Sequence, residues 1–145
     1  TKIVSHQTNY QNYLKENENE NFDLIFDCTD NHTNKILSSQ HSKKNKVAYV
    51  SISINSTEGI YFSQNYQKEA TFCFACVFPQ TDINHRCLNS AMIGPVAGFV
   101  TSLACTKIIF ALASDSNNLK NEISLIDLLT SDINKLQLDK INCPH

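Results

Sequence analysis

The run from Ala91 to Ala113 constrains this chain most, because its only charged residue is Lys107. As a helix it is long enough to cross a bilayer. It is also interrupted by Gly94-Pro95, Gly98, Thr101, Ser102, Thr106 and Lys107, which fits a buried helix, apolar on nearly all sides, better than a membrane span. Such a helix needs a sheet or other helices to cover it. Pro95 suits its first turn, placing the start near Met92 or just after Pro95.

The segments before that helix supply a sheet. Phe22 to Cys28 is a short apolar run that ends in Thr29-Asp30-Asn31. A buried parallel strand looks like this when it delivers polar residues at its carboxyl end. Asp30 or Asn31 then caps a helix to about Lys43. Lys46 to Ile54 is a β-branched run, residues 55–59 form a turn, and Ile60 to Ser63 returns antiparallel. Residues 1–5 read as the tail of a strand, Gln7 to Lys15 as a weak helix and 16–21 as a loop. Residues 64–90 form a long loop or a metal-tied excursion. Beyond the long helix, Ile123 to Leu129 and Ile133 to Leu138 form two strands joined by a turn at 130–132. The expected fold is α/β: a mixed, mainly parallel sheet with flanking helices, within a single partial domain over 1–145.

The chain has 145 residues, 18% of them charged, and a net charge of −2. Arg86 is its sole arginine. Nothing here forms the basic field that nucleic acid or an anionic membrane surface requires. The chain opens on Thr1 and its one methionine is Met92, so the expectation is a piece of a longer product. The six cysteines lack the spacing of a small disulfide scaffold, and no signal-peptide pattern is present. A reducing, cytoplasmic setting is expected.

Three clusters carry chemistry. Asp30 follows a strand's carboxyl end, where open α/β sheets bind ligands, so it either holds Mg²⁺ on a nucleotide or simply caps the helix. Cys73-Phe74-Ala75-Cys76 can share a tetrahedral metal, act as a redox pair, or be two buried structural cysteines. The aromatic neighbours and lack of helical pattern speak against redox, which needs a helix N-terminus to acidify a thiol. Cys143 is a third candidate ligand. The fourth is open between His145, awkwardly close to Cys143, and a cysteine following Cys143-Pro144-His145. Cys87, after His85-Arg86, is either a reactive thiolate or an ordinary loop cysteine. Cys28 and Cys105 lie on apolar elements and are expected in the core. No GxGxxG and no phosphate-binding lysine motif is present.

In order, these pieces resemble the ThiF/MoeB/HesA family, relatives of the ubiquitin-activating enzymes. The similarity rests on Phe22-Asp-Leu-Ile-Phe-Asp-Cys-Thr-Asp-Asn31, the acidic-Gly turn Glu58-Gly59, and Cys73-x-x-Cys76-x-Phe78-Pro79. Cys87 with Ile93-Gly94-Pro95-Val96-x-Gly98, and Cys143-Pro144, complete it. The order holds from about residue 20 to the end.

The resemblance implies the C-terminal half of a Rossmann-like adenylating domain. ATP activates the C-terminal glycine of a ubiquitin-like sulfur-carrier protein, or a peptide C-terminus, as an acyl-adenylate. It implies Asp30 and Asn31 at Mg-ATP, zinc on Cys73, Cys76 and Cys143, Cys87 as a covalent thiol, and a homodimer. The glycine-rich loop, arginine finger and phosphate-contacting lysine would belong to an N-terminal half. Lys35, Ser39 and Ala91 stand where the family usually has arginine, asparagine and glycine. Lysine lacks arginine's bidentate fork, which leaves open a zinc-stapled binding module without catalysis.

Overall fold

A computed structural model describes residues 2–17, 20–67, 72–79, 91–114, 119–137 and 143. Its elements are α1 (Tyr10–Glu16), β1 (Leu24–Asp27), α2 (His32–Asn45), β2 (Ala48–Asn55), β3 (Glu58–Asn65), α3 (Phe74–Val77), α4 (Gly94–Ala113), β4 (Glu122–Asp127) and β5 (Asp132–Gln137). The five strands form one sheet in chain order, β1-β2-β3-β4-β5.

The mixed α/β sheet is as expected, but its emphasis on parallel strands needs correction. Among the described residues only β1 and β2 run parallel; β2-β3, β3-β4 and β4-β5 are antiparallel. The reason lies in the connections. Helix α2 provides the crossover that a parallel pair requires, whereas the short turns after β2 and β4 can only reverse the chain.

The β2-β3 turn is tighter than the sequence suggested. Ser56 takes a left-handed φ of 52°, and Glu58 and Gly59 already pair with Asn55 and Ile54. Gly59 therefore belongs to a strand, and its lack of a side chain serves packing. A Cβ there would lie 2.3 Å from Val100 Cγ2, so glycine lets α4 approach the sheet closely.

α4 lies on one sheet face through Val96, Val100, Ala104, Ile108 and Ala111, a single stripe at helical spacing. That stripe packs on Ala48, Val50, Ile52, Tyr61 and Ile126. The expectation of a helix buried nearly all round is corrected: Ile109 and Phe110 are 66% and 70% exposed. One sheet face can cover only one stripe of a helix. By length and composition α4 also passes as a membrane span.

The opposite face carries α2 and α3. Here Tyr49, Phe62, Tyr66, Phe72, Phe74 and Ile123 form a second, aromatic core. α2 turns a polar stripe inward, burying Lys35, Ser38, Ser39 and Ser42. Small serines let the helix sit close, and buried hydroxyls require partners.

Further differences are local. Residues 2–7 form no strand. Cys28 is exposed and Cys105 half-buried, because β1 ends at Asp27 and Cys105 sits beside, not on, the inward stripe of α4. The short helix α3 lies inside the segment expected to lack regular structure.

Candidate functional site

The first cluster is built at the carboxyl end of β1. Asp27, the last residue of the strand, is buried. Its Oδ1 accepts the Thr29 backbone N–H at 2.9 Å and the Thr29 hydroxyl at 2.7 Å. Its Oδ2 accepts the Ser38 hydroxyl at 2.5 Å and the Tyr49 hydroxyl at 3.3 Å. The Lys35 ammonium lies 3.6 Å from Oδ1, with both side chains 4% exposed. Lys35 Nζ also donates to the Ile52 carbonyl at 2.8 Å. Lys35 therefore ties the carboxyl end of β1 to β2, its parallel neighbour.

The charges respond to this setting. Burial alone would raise the Asp27 pKa, but hydrogen bonds from Ser38 and Thr29, with Lys35 beside it, bring it below the ordinary carboxylate value. Burial lowers the Lys35 ammonium, opposed by Asp27. Burial and the nearby carboxylate raise Tyr49, keeping its phenol protonated.

The turn that Asp27 pins displays Asp30 and Asn31, both exposed. Asn31, not Asp30, caps α2: its side chain accepts the Asn34 N–H at 3.1 Å. Asp30 is relieved of the capping role that competed with its ligand role. Beside this turn a cavity of about 350 Å³ lies between Thr29 and Asn34 and the N-terminal Asn9, Tyr10 and Tyr13. The Tyr10 hydroxyl is buried there without a hydrogen-bond partner among the described residues. Burial pushes its pKa up to about 12, so it offers a neutral donor. An orphaned donor in the lining of this cavity suits a polar ligand.

The second cluster brings the neighbouring Cys73 and Cys76 together with the distant Cys143. Cys73 Sγ lies 3.8 Å from Cys76 Sγ and 3.6 Å from Cys143 Sγ, and all three sulfurs fall within 4.8 Å of one another. Thiolates each about 2.3 Å from a tetrahedral zinc stand about 3.8 Å apart. The arrangement can therefore hold one soft metal ion. Cys73 is buried and the other two are half-buried. Cys73 also caps the single-turn helix α3, the feature a redox pair would need. Yet burial, with Cys143 beside it, raises the Cys73 thiol to about 12, the reverse of an activated redox thiol. Cys87 and His145 lie outside the described residues.

Ser39 connects the two clusters. Its hydroxyl accepts the Phe74 N–H at 2.8 Å and lies 2.9 Å from the Tyr66 hydroxyl. The N-terminus of α3 is thus held by α2, the helix that starts at Asn31. His32 adds an edge contact with Phe74, centroids 5.6 Å apart. The Asp27–Lys35–Ser38–Tyr49 network was not singled out from sequence. Asp27 lies inside the quoted strand motif, and Lys35 and Ser38 follow at one- and two-turn spacings on α2, a signal visible only once β1 and α2 are known to pack.

A parallel β1-α2-β2 unit with polar residues at its carboxyl end, continued by antiparallel strands and a cysteine triplet, defines an α/β domain with an exposed polar turn and a cysteine cluster. The ThiF family matches residues 1–145, and the chain belongs to that family. It is 30% identical over 106 residues to the adenylyltransferase and sulfurtransferase uba4 of Neosartorya fischeri, across 67% of this chain and 22% of that protein. The Aspergillus niger uba4 is 31% identical over 104 residues, across 66% of this chain and 22% of that protein. The chain thus spans about a fifth of the length of these relatives. Among solved structures, E. coli MccB crystallised with AMPCPP and MccA superposes with a TM-score of 0.67 at 14% identity, covering 94% of this chain and 42% of MccB. That likeness is one of fold.

Proposed function

We propose that this chain is the C-terminal part of an ATP-dependent adenylyltransferase that activates the C-terminal glycine of a ubiquitin-like sulfur-carrier protein. The observation that carries the reading is the exposed Asp30 on a turn pinned by buried Asp27, at the carboxyl end of a parallel strand, within a ThiF-family chain. In the reaction, a carboxylate oxygen of the glycine attacks the α-phosphorus of ATP. The bond to the β-phosphate breaks, giving an acyl-adenylate and pyrophosphate.

Asp30 would hold Mg²⁺, and Asn31 would stand beside the nucleotide. Mg²⁺, when bound, neutralises phosphate charge. Buried Asp27 and Lys35 keep the turn in place, so little reorganisation is needed as charge develops. Remaining phosphate contacts would come from a preceding half of the same domain. Cys73, Cys76 and Cys143 would hold a structural Zn²⁺, pinning a segment that has little core of its own. Cys87 would be the thiol that links to the carrier. The exposed Phe99 and Ile109 of α4 support packing against that preceding half or a second subunit, as a homodimer. Three clustered thiols suit the reducing cytoplasm.

One observation favours a second reading. Lys35, where the family usually has arginine, is 4% exposed and engaged with Asp27 and Ile52, so its charge is not presented to a phosphate. A zinc-stapled module that docks its partner without chemistry would tolerate that. ATP–pyrophosphate exchange by the full-length protein decides between the readings. Exchange that depends on a carrier ending in Gly-Gly supports adenylation. Exchange with a peptide instead indicates a peptide-activating relative. A folded, zinc-loaded protein with no exchange indicates the binding module.

A further inference from the structure

A second cavity, unrelated to the adenylation reading, lies on the α4 face of the sheet, whereas Asp30 leads into α2 on the other. α4 covers β2 and β3, while β4 and β5 continue the sheet past it. The space left under the C-terminal half of α4 is a cavity of about 330 Å³. Its floor includes Tyr61 of β3 and Lys135 of β5, and α4 contributes Lys107 and Phe110. Register accounts for the convergence. Tyr61 pairs with Ser124 and Ser124 with Lys135, so these residues stand side by side across three strands on one face. The Ser63 hydroxyl donates to the Lys120 carbonyl at 2.8 Å, bringing Lys120 to the rim.

The charges do not cancel. Lys107 forms an ion pair with Glu122, and its ammonium stands 4.1 Å from the Tyr61 ring centroid. Burial and the neighbouring Lys135 and Lys120 lower its pKa to about 8. Lys120 and Lys135 pair with no carboxylate among the described residues. Two positive charges therefore remain over a floor that is largely aromatic and aliphatic. A phosphate monoester carries close to two negative charges at neutral pH, and ammonium groups bind phosphate as point charges without demanding a fork. The volume lies at the low end of small-molecule sites.

We propose that this cavity binds a small organic phosphate monoester, with the phosphate at Lys120 and Lys135 beside Lys107 and the organic body against Tyr61 and Phe110. Phenyl phosphate is the probe, titrated calorimetrically into the full-length protein, with phenol as the neutral control. Binding with a Kd in the millimolar range or below is expected, about −4 kcal/mol or stronger, weakening severalfold in high salt. Phenol should bind at least tenfold more weakly. Lys120→Ala with Lys135→Ala, both exposed positions, should weaken phenyl phosphate at least tenfold with an unchanged circular dichroism spectrum. Asp30→Ala should leave binding intact, separating this site from the nucleotide turn. The proposal is overturned by an absence of binding, by affinity that survives the double substitution, by phenol binding as well, or by loss of binding in Asp30→Ala.

Discussion

Replacing Lys35 with methionine tests the central geometry of the ligand-side turn. The substitution keeps most of the aliphatic stem but removes the ammonium that stands 3.6 Å from Asp27 and donates to the Ile52 carbonyl at 2.8 Å. Both partners are 4% exposed at the side chain, so water does not readily replace the lost cation. Removing one member of a buried pair costs about 3–5 kcal/mol, since the remaining charge is left uncompensated. For a chain of this size, each kcal/mol moves Tm by about 2–4 °C, so a fall of roughly 6–20 °C is expected. The sign of the pH dependence is a sharper check. The folded pKa of Asp27 lies below its ordinary value, so its contribution is present above the unfolded carboxylate pKa and lost as pH falls through the folded one. In Lys35→Met the carboxylate loses its cation and its folded pKa rises. The stability gap from wild type should then narrow as the solution is acidified and Asp27 becomes neutral in both proteins. Urea melts at several pH values measure this. A gap that is constant from neutral to acid pH, or a loss under about 1 kcal/mol, would refute the reasoning.

Gly59→Ala should destabilise by about 1–3 kcal/mol through overpacking, because the new methyl meets Val100 2.3 Å away; adding Val100→Ala should recover part of that loss, and strictly additive melts would contradict the contact. Cys73→Ser and Cys143→Ser should each lower both bound zinc and Tm; metal analysis showing wild-type zinc in either variant removes that ligand from the set. Chelation of the wild-type chain should lower Tm in the same direction, and an unchanged Tm would speak against a structural metal. In the full-length protein Asp30→Ala should abolish pyrophosphate exchange with the far-ultraviolet spectrum unchanged, while retained exchange would exclude its Mg²⁺ role.

The order β1-α2-β2-β3, the long helix and the final hairpin were legible because local signals agreed: β-branched runs, a capping residue at Asp30 or Asn31 and Pro95 in a first helical turn. The cysteine triplet was legible because Cys73-x-x-Cys76 names a tetrahedral geometry, although only the fold shows Cys143 3.6 Å from Cys73. Two features escaped because they depend on what packs against what. α3 is a single turn, too short for any periodicity, and it is held through its Phe74 N–H by Ser39 of another helix. The inward stripe of α2 reads as a solvent-facing one, since Lys35, Ser38 and Ser42 are polar; Asp27 and Tyr49 on the sheet face reverse that for Lys35 and Ser38.

By itself, then, the sequence determined the kinds of element, their order, the family and the residues with metal-binding chemistry. Each of these follows from short-range preferences or from side-chain type. Tertiary structure alone decided which strands run parallel, which stripe of α4 is covered, and that a buried lysine and aspartate hold the turn beneath Asp30. These outcomes depend on burial, and burial is a relation between distant segments that no local pattern specifies.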